Sequence, residues 1–331
     1  MVNSQDVAKQ ANVSQATVSR AFRDDTRISP ETKRKVIKAA EDLGYYPNYS
    51  ARGLKQKKSR IIGIMMSDAD NIFYNALIKQ LERSLVAKGY RLLLSYNDED
   101  PRRERECLES MLSSRVEGVF CIPVSTENED LYSIMKKNNI HIVQIIRILF
   151  PGFDAVTIND EMGAYMATNH LLSQGHKNIL MTEYSFNELH PVKTAGYLRA
   201  LNENGLTDDC ARILDLSYNV DNSALIAGAM INGNCTAIIT SNTIMTINAL
   251  KAIKSQGLSI PEDISVIAYD DNAWLEFLGV SAITHPMEEI GKAMSELLIG
   301  RIEKDSRLPE PQAQIKIKPF LLLRNSIKKI T

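Results

Sequence analysis

Cysteine and tryptophan are scarce in this chain, at 4 and 1 of 331 residues, and aromatic residues together make up 6%. Cys107, Cys121, Cys210 and Cys235 form no Cys-x-x-Cys pair, and no cysteine–histidine cluster has metal-ligand spacing. A disulfide scaffold and a zinc module are therefore excluded, and the four thiols read as buried apolar groups in a reducing compartment. No two glycines are separated by a single residue, so Gly-x-Gly-x-x-Gly is absent; the phosphate loop Gly-x-x-x-x-Gly-Lys-Ser/Thr and the elbow Gly-x-Ser-x-Gly are absent too. The five histidines are scattered. Nothing supports an enzyme, and no catalytic residue, cofactor or metal is expected. Long hydrophobic runs are also missing. Ile140 to Phe150 is the most apolar stretch; it is far too short to span a bilayer and is broken by His141 and Arg147. Met1 to Asp6 lacks the charged and apolar regions of an export signal. The expectation is a cytoplasmic protein with no membrane contact.

What is present is the balance of a globular protein with a sizeable core: 44% apolar and 24% charged residues. At 331 residues the chain exceeds one α/β unit of ordinary size and suits two or three domains. Its net charge of −1 conceals an asymmetry. Residues 1–60 carry 7 Lys and 6 Arg against 4 Asp and 2 Glu, a net of +7, while the remainder carries 26 basic against 34 acidic residues, a net of −8. A basic head on an acidic body is the pattern expected when only the head meets a polyanion.

Ser4 to Leu43 reads as three short helices. Ser4 caps the first, whose inner face is Val7, Ala8 and Ala11. Asn12 tolerates the left-handed conformation of a tight turn. Ser14 caps the second helix, which turns Val18 and Phe22 inward. Ser29 caps the third, Pro30 takes its first position, and Gly44 stops it. A first helix, a sharp turn and a second helix that offers its N-terminal residues to base edges make a helix-turn-helix reader. With Val18 inward, Gln15, Ala16, Ser19 and Arg20 lie outward. Gln suits adenine, Arg suits guanine and Ala suits a thymine methyl, while Ser14 and Thr17 suit phosphates. A small helical docking domain is the plainer alternative for the same pattern. Tyr45 to Ser59 is polar and basic with Pro47 near its start, and reads as a linker with a short helix beginning at Asn48.

From Arg60 the texture changes to apolar runs of strand length alternating with amphipathic segments. Strands are predicted at Ile61–Met66, Tyr90–Ser95, Gly118–Ile122, Ile142–Ile146, Asn178–Met181, Ala237–Thr240 and Ile264–Ala268. Helices are predicted at Ala76–Lys88, Arg103–Ser113, Gly163–Gln174 and Ile247–Gln256, several of them stopped by Gly89, Gly175 and Gly257. Continuous apolar strands alternating with helices mean parallel sheets covered on both faces, and this many units favour two doubly wound sheets in an α/β body.

Asp6-Val7-Ala8-Lys9-Gln10-Ala11-Asn12-Val13-Ser14-Gln15-Ala16-Thr17-Val18-Ser19-Arg20 closely resembles the opening signature of the LacI/GalR family of repressors. Ile28-Ser29-Pro30-Glu31-Thr32, Leu43-Gly44-Tyr45-Tyr46-Pro47-Asn48 and Ala51-Arg52-Gly53-Leu54 continue the resemblance in the family's order, with Asn12 where the family usually has Gly. The resemblance implies three segments: a DNA-binding head at 1–46, a hinge at 47–59 and an effector-binding and dimerisation body at 60–331. It implies that the hinge folds into a helix only on operator DNA, that two such helices pair in the minor groove, and that Leu54 wedges into the central base step. Ser4 in the head and Asn48, Ala51 and Lys55 in the hinge join the implied DNA contacts. An apolar wedge costs roughly a few kcal/mol of unstacking, offset by the contacts a kink permits. A short isolated helix is marginal in water, so its folding can couple to DNA. Without the resemblance, Leu54 is an ordinary linker leucine.

For the body the resemblance implies a periplasmic-binding-protein-like fold. Its N-subdomain spans about 60–160 and 287–318, its C-subdomain about 161–286 and 319–331, and a ligand sits in the cleft. Ligands in such sheets bind just past the carboxyl ends of strands. There lie Phe73 and Tyr74, matching aromatic pocket residues, and Arg147, matching an effector-contacting Arg, although a basic residue ending an apolar run otherwise snorkels. Lys193 falls where many members have Arg, and Lys cannot form the same two-pronged bond. Asn242 falls in Ser241-Asn242-Thr243-Ile244-Met245, with Thr243 in place of the family's Asp. Asp270, in Ala268-Tyr269-Asp270-Asp271, is the foremost ligand-bonding carboxylate, a helix cap being its alternative. Asn159 stands where the family often has Asp. This set suits a neutral polyhydroxylated ligand such as a sugar and leaves a phosphorylated sugar or a nucleobase open.

The expectation is a homodimeric regulator, by implication a repressor, that binds double-stranded operator DNA under the control of a small-molecule effector. A two-fold dimer matches a near-palindromic operator. The end of the chain, Asn325 to Thr331, has no heptad extension, which leaves a dimer rather than a coiled-coil tetramer. Release from DNA by the effector and recruitment to it are both compatible with this sequence. The rivals are a cytosolic sugar-binding protein without operator binding, opposed by the +7 head, and an α/β enzyme, opposed by the missing motifs.

Overall fold

The computed structural model describes residues 2–22, 27–46, 59–184, 192–207, 210–218, 220–304 and 311–330. The chain forms two compact units, Met1–Ser59 and Arg60–Thr331.

The first unit contains α1 (Ser4–Ala11), α2 (Gln15–Ala21) and α3 (Pro30–Asp42) around a small core of Val7, Ala8, Ala11, Val18, Ala21, Val36, Ala39 and Ala40. The cap of α1 is Asn3, not Ser4. The Asn3 side chain accepts the N–H groups of Gln5 and Asp6, and the Asp6 carboxylate accepts the N–H of Asn3 at 2.9 Å. This reciprocal box needs an acceptor three residues past the cap, and Ser4 would have Val7 there. The other signals act where expected. Asn12 ends α1 at φ 52°, Ser14 caps α2 by accepting from Thr17 N–H at 3.1 Å, and Ser29 caps α3 by accepting from Thr32 N–H at 3.2 Å. Gly44 follows α3 at φ +62°. The hinge residues Asn48, Ala51, Leu54 and Lys55 lie outside the described residues.

The second unit begins with β1 (Ile61–Met66), α4 (Ile72–Val86), β2 (Arg91–Tyr96), α5 (Pro101–Ser113), β3 (Gly118–Cys121), α6 (Glu129–Lys137), β4 (His141–Ile145) and β5 (Asp154–Ile158). There follow α7 (Asp160–Ser173), β6 (Ile179–Glu183), α8 (Val192–Glu203), β7 (Arg212–Asp215), α9 (Ser223–Asn232), β8 (Ala237–Ile239), α10 (Thr243–Ser255), β9 (Ser265–Tyr269), α11 (Ala273–Phe277) and β10 (Ser281–Thr284). The unit closes with α12 (Met287–Glu303), β11 (Gln314–Ile317) and β12 (Phe320–Leu322).

One sheet is β11-β5-β4-β3-β1-β2, parallel throughout; the other is β12-β10-β9-β8-β6-β7, parallel except for β12. Both repeat one doubly wound order, and the chain crosses between them after β5, after β10 and between β11 and β12. Alternation along the strands splits each sheet's core in two. In β1, Ile62, Ile64 and Met66 pack on Leu77, Leu81 and Leu85 of α4 and on Met294 and Leu298 of α12. Met65 packs on the opposite face, with Leu108 and Met111 of α5. Around the second sheet, Ile238, Val266 and Ala268 meet α9 and α10, while Ile239, Ile267 and Tyr269 meet α7 and α8.

Candidate functional site

A cavity of about 420 Å³ lies between the two sheets at the carboxyl ends of their strands. That volume suits a small ligand. Past β1, Asn71 accepts from Phe73 N–H at 3.1 Å and so starts α4 with Phe73 and Tyr74 facing the cavity. Past β4, Ile146 has φ 67°, and Arg147 N–H donates back to the Ile145 carbonyl at 2.7 Å. This is a strained γ-turn, and it delivers Arg147 to the lining. Past β9, Asp270 has φ 65° and donates its N–H to Ile283. Its carboxylate meets His285 Nε2 at 3.0 Å, so Asp270 is not a helix cap; Asn272 caps α11. The next carboxylate, Asp271, is held by two bonds from Arg324, at 2.7 and 3.0 Å.

Both cations of the inner wall are paired with carboxylates. Arg147 forms an ion pair with Glu99 and also donates to Ser67 Oγ at 3.4 Å. Lys193 lies 3.3 Å from Asp160 and 4.9 Å over the Tyr269 ring. Burial pulls the Lys193 ammonium down, but Asp160, Glu183 and Asp270 outweigh it and hold its pKa above the ordinary lysine value. Burial raises the Glu183 carboxyl, against the pull of Lys193. Burial also pushes Tyr184 up to about 12 and raises Tyr74 and Tyr269, so these phenols stay neutral donors.

Of the expected ligand residues, Phe73, Tyr74, Arg147, Lys193, Asn242 and Asp270 all line the cavity. The Asn242 side-chain Oδ1 caps α10, accepting from Met245 N–H at 2.9 Å. Asn159 does not line it. Its side chain caps α7 by accepting from Met162 N–H at 3.2 Å, and the neighbouring Asp160 takes the place at the wall. Sequence reasoning missed Glu99, Glu183, Tyr184, Tyr218 and His285. Glu99 follows β2, so looking further past that strand's end would have found it, whereas Tyr218 follows β7, a strand absent from the sequence-based expectation.

In the first unit Ser14, Gln15, Ala16 and Arg20 are exposed at α2, with Thr17 and Ser19 half-buried. Gln15 donates to Ser4 Oγ at 2.7 Å, which ties the first turn of α1 to the start of α2. The Ser14 and Thr17 hydroxyls lie 2.9 Å apart.

Residues 4–48 match the lacI family of bacterial regulatory proteins, and residues 168–327 match the periplasmic binding protein-like domain. Catabolite control protein A of Priestia megaterium is 30% identical over 308 residues, covering 91% of this chain and 92% of that protein. The chain belongs to the LacI family. The fold agrees. The lac repressor dimer bound to operator and the anti-inducer ONPF superposes with a TM-score of 0.81 at 22% identity, over 99% of each chain. A LacI-family regulator from Enterococcus faecium with bound ribose gives 0.72 at 22% identity, over 82% of this chain and 100% of that one. As a LacI-family regulator, the chain joins a DNA-binding head to an effector-binding body. Among the described residues no helix is long and apolar enough to cross a membrane, and no cluster of His, Cys, Asp and Glu could hold a metal ion.

Proposed function

We propose that this LacI-family chain is a homodimeric repressor whose operator affinity is set by a sugar or sugar derivative in the cavity of its body. The observation that carries the reading is the lining. Phe73, Tyr74, Tyr184, Tyr218 and Tyr269 offer ring faces and hydroxyls, and Asp270, Asn242 and Glu183 offer hydrogen bonds at the strand ends. Rings that stack and polar atoms that bond hydroxyls are what a sugar requires. The bound ribose of the Enterococcus faecium regulator shows that the same fold holds a sugar in that protein.

In this reading, residues 1–46 read DNA, 47–59 form the hinge and 60–331 sense and dimerise. Gln15, Ala16, Ser19 and Arg20 meet base edges, with Ser4, Ser14 and Thr17 at the backbone. Asn48, Ala51, Leu54 and Lys55 act in the minor groove. The protein works in the cytoplasm, where its operator lies. The effector changes operator affinity by binding the DNA-competent and incompetent forms of the body unequally. Gel shifts with fragments from upstream of the protein's own gene, with and without a panel of sugars, sugar phosphates and purines, test the whole reading. Absence of a specific shift under every condition ends it, and a shift that answers only to an unrelated ligand class ends the sugar assignment. Leu54→Ala weakens specific binding with the fold intact; unchanged operator affinity removes the wedge.

A further inference from the structure

Four carboxylates line the cavity, those of Glu99, Asp160, Glu183 and Asp270, against Arg147 and Lys193 on its inner wall and the exposed Lys316. Both inner cations are already matched: Arg147 by Glu99 and Lys193 by Asp160. The Arg147–Glu99 pair is largely buried, with side chains only 14% and 8% exposed. Turning Arg147 toward a ligand anion would strand Glu99 as a buried charge, which is costly. Glu99 Oε2 is a buried acceptor without a hydrogen-bond partner among the described residues, whereas the Ser241 hydroxyl and His285 Nδ1, on two other residues of the lining and likewise without a partner there, can each donate or accept. A carboxylate oxygen can be satisfied only by a donor.

We infer that the effector is rich in hydrogen-bond donors and carries no phosphate or carboxylate, and that Glu99 is the residue that excludes such anions by holding Arg147. The ligand is a neutral sugar or an amino sugar; hydroxyls and ammonium groups donate to Glu99, whereas a phosphate dianion brings only acceptors and two more negative charges. Glu99 is set in place by its backbone. It stands at φ 56°, and its N–H donates at 3.1 Å to Asn97, which in turn donates to the Ile122 carbonyl at 3.0 Å. The exclusion is thus built into the short loop after β2. This inference rests on the proposed function for the ligand's place and adds its charge class.

The test compares the full chain with Glu99→Gln, which keeps the side chain's shape and removes its charge. Inorganic phosphate is titrated during thermal unfolding at constant ionic strength. Any phosphate effect at the basic head is common to both proteins and cancels. Glu99→Gln gains a phosphate-dependent rise in midpoint that wild type lacks, and Glu99→Gln/Arg147→Met loses the gain. Equal phosphate responses in wild type and Glu99→Gln, or a gain that persists in the double variant, overturn the inference. Circular dichroism checks the fold, and Glu99→Ala frees Arg147 equally should Glu99→Gln misfold. In calorimetry, wild type binds a neutral or amino sugar at least about tenfold tighter than its phosphate ester, as expected when a buried charge is left without a partner. A phosphate ester binding as tightly as its parent also overturns it. The phosphate arm needs no sugar, so a panel in which no sugar binds sinks the sugar assignment while the exclusion remains separately readable.

Discussion

Tyr218→Phe isolates one hydrogen bond across the cavity. Tyr218 follows β7 and donates to Asp68, which follows β1, so the bond joins the two halves of the body. Asp68 is 7% exposed, and its other oxygen is taken by Asp70 N–H at 2.6 Å. The Tyr218 ring packs against Tyr184 with centroids 5.0 Å apart at 40°. Phe keeps that packing and the cavity's shape, and removes only the hydroxyl. A hydrogen bond to a charged group contributes about 1.5–3 kcal/mol, and losing it leaves Asp68 without its partner only while the halves are together. In an opened body water reaches Asp68, so most of the loss falls on the closed form. With some water admitted by the missing hydroxyl, about 1–2 kcal/mol remains, which lowers the closed population about 5–30-fold relative to the open. An effector that binds the closed form then shows an apparent Kd raised by up to that factor, roughly 5–30-fold. Calorimetry on wild type and variant measures it, and small-angle scattering without effector reads the larger radius of gyration. An unchanged Kd together with an unchanged radius refutes the reasoning.

Asp154→Ala strips Arg301 of two acceptors at 2.8 Å and Ala313 N–H of one at 2.7 Å, freeing α12 and the start of β11 from β5. Removing one partner of a buried pair costs about 3–5 kcal/mol, a fall on the order of 10 °C in a unit of this size, and a calorimetric midpoint that stays put contradicts it. Gly196→Ala would place a Cβ 1.9 Å from the Glu161 carbonyl oxygen, so α7 and α8 must separate. The expected loss is about 3 kcal/mol or more in urea unfolding. Gly228→Ala in α9, with nothing within 4 Å, gains about 0.5–1 kcal/mol instead; equal behaviour of the two variants would show that the close approach is not there. Burial raises the Glu183 carboxyl, so the folded form holds that proton more tightly than the unfolded chain. Its contribution is present below the unfolded pKa and is lost as pH rises through the folded one. Glu183→Gln therefore gains stability relative to wild type as pH rises from about 4 to 7, and a pH-independent difference between the two is the contrary result.

Most of the strands that sequence reasoning found are unbroken apolar runs; the edge strand β2 was found as well, although it is partly exposed. Ile61–Met66 is recovered end to end because Arg60 and Ser67 bound an unbroken apolar run. Missed were the edge strands Arg212–Asp215, Gln314–Ile317 and Phe320–Leu322, which are partly exposed, and the buried strands Asp154–Ile158 and Ser281–Thr284, whose Asp, Thr and Ser residues break the apolar run. Helices α4 and α10 begin four residues before the predicted starts, because Asn71 and Asn242 cap them and the apolar periodicity sets in only later. The site divides in the same way. Arg147 and Asp270 were legible because each ends a recognised strand. Glu99 was not, since β2 was ended at Ser95, and Tyr218 hung on an unrecognised strand. His285 lies on a crossing between the sheets, where no local pattern marks it.

The duplicated topology accounts for why the legible pair matters. β4 and β9 occupy equivalent places in their sheets, and the residue after each, Ile146 and Asp270, is a non-glycine at φ 67° and 65°. Such conformations cost on the order of 1–3 kcal/mol each and persist only where the surroundings over-determine them. Around Ile146 that role falls to the Ile145–Arg147 turn and the Glu99 pair. Around Asp270 it falls to Ile283, His285 and the Arg324–Asp271 fork. The same device therefore stands on both sides of the cavity, and it aims a neutralised cation from one half and a carboxylate from the other. A ligand bonded to Glu99 beside the first and to Asp270 beside the second would span both halves of the body. Its binding free energy would then depend on the separation of those halves, which is the condition for a ligand to bias the body between two forms.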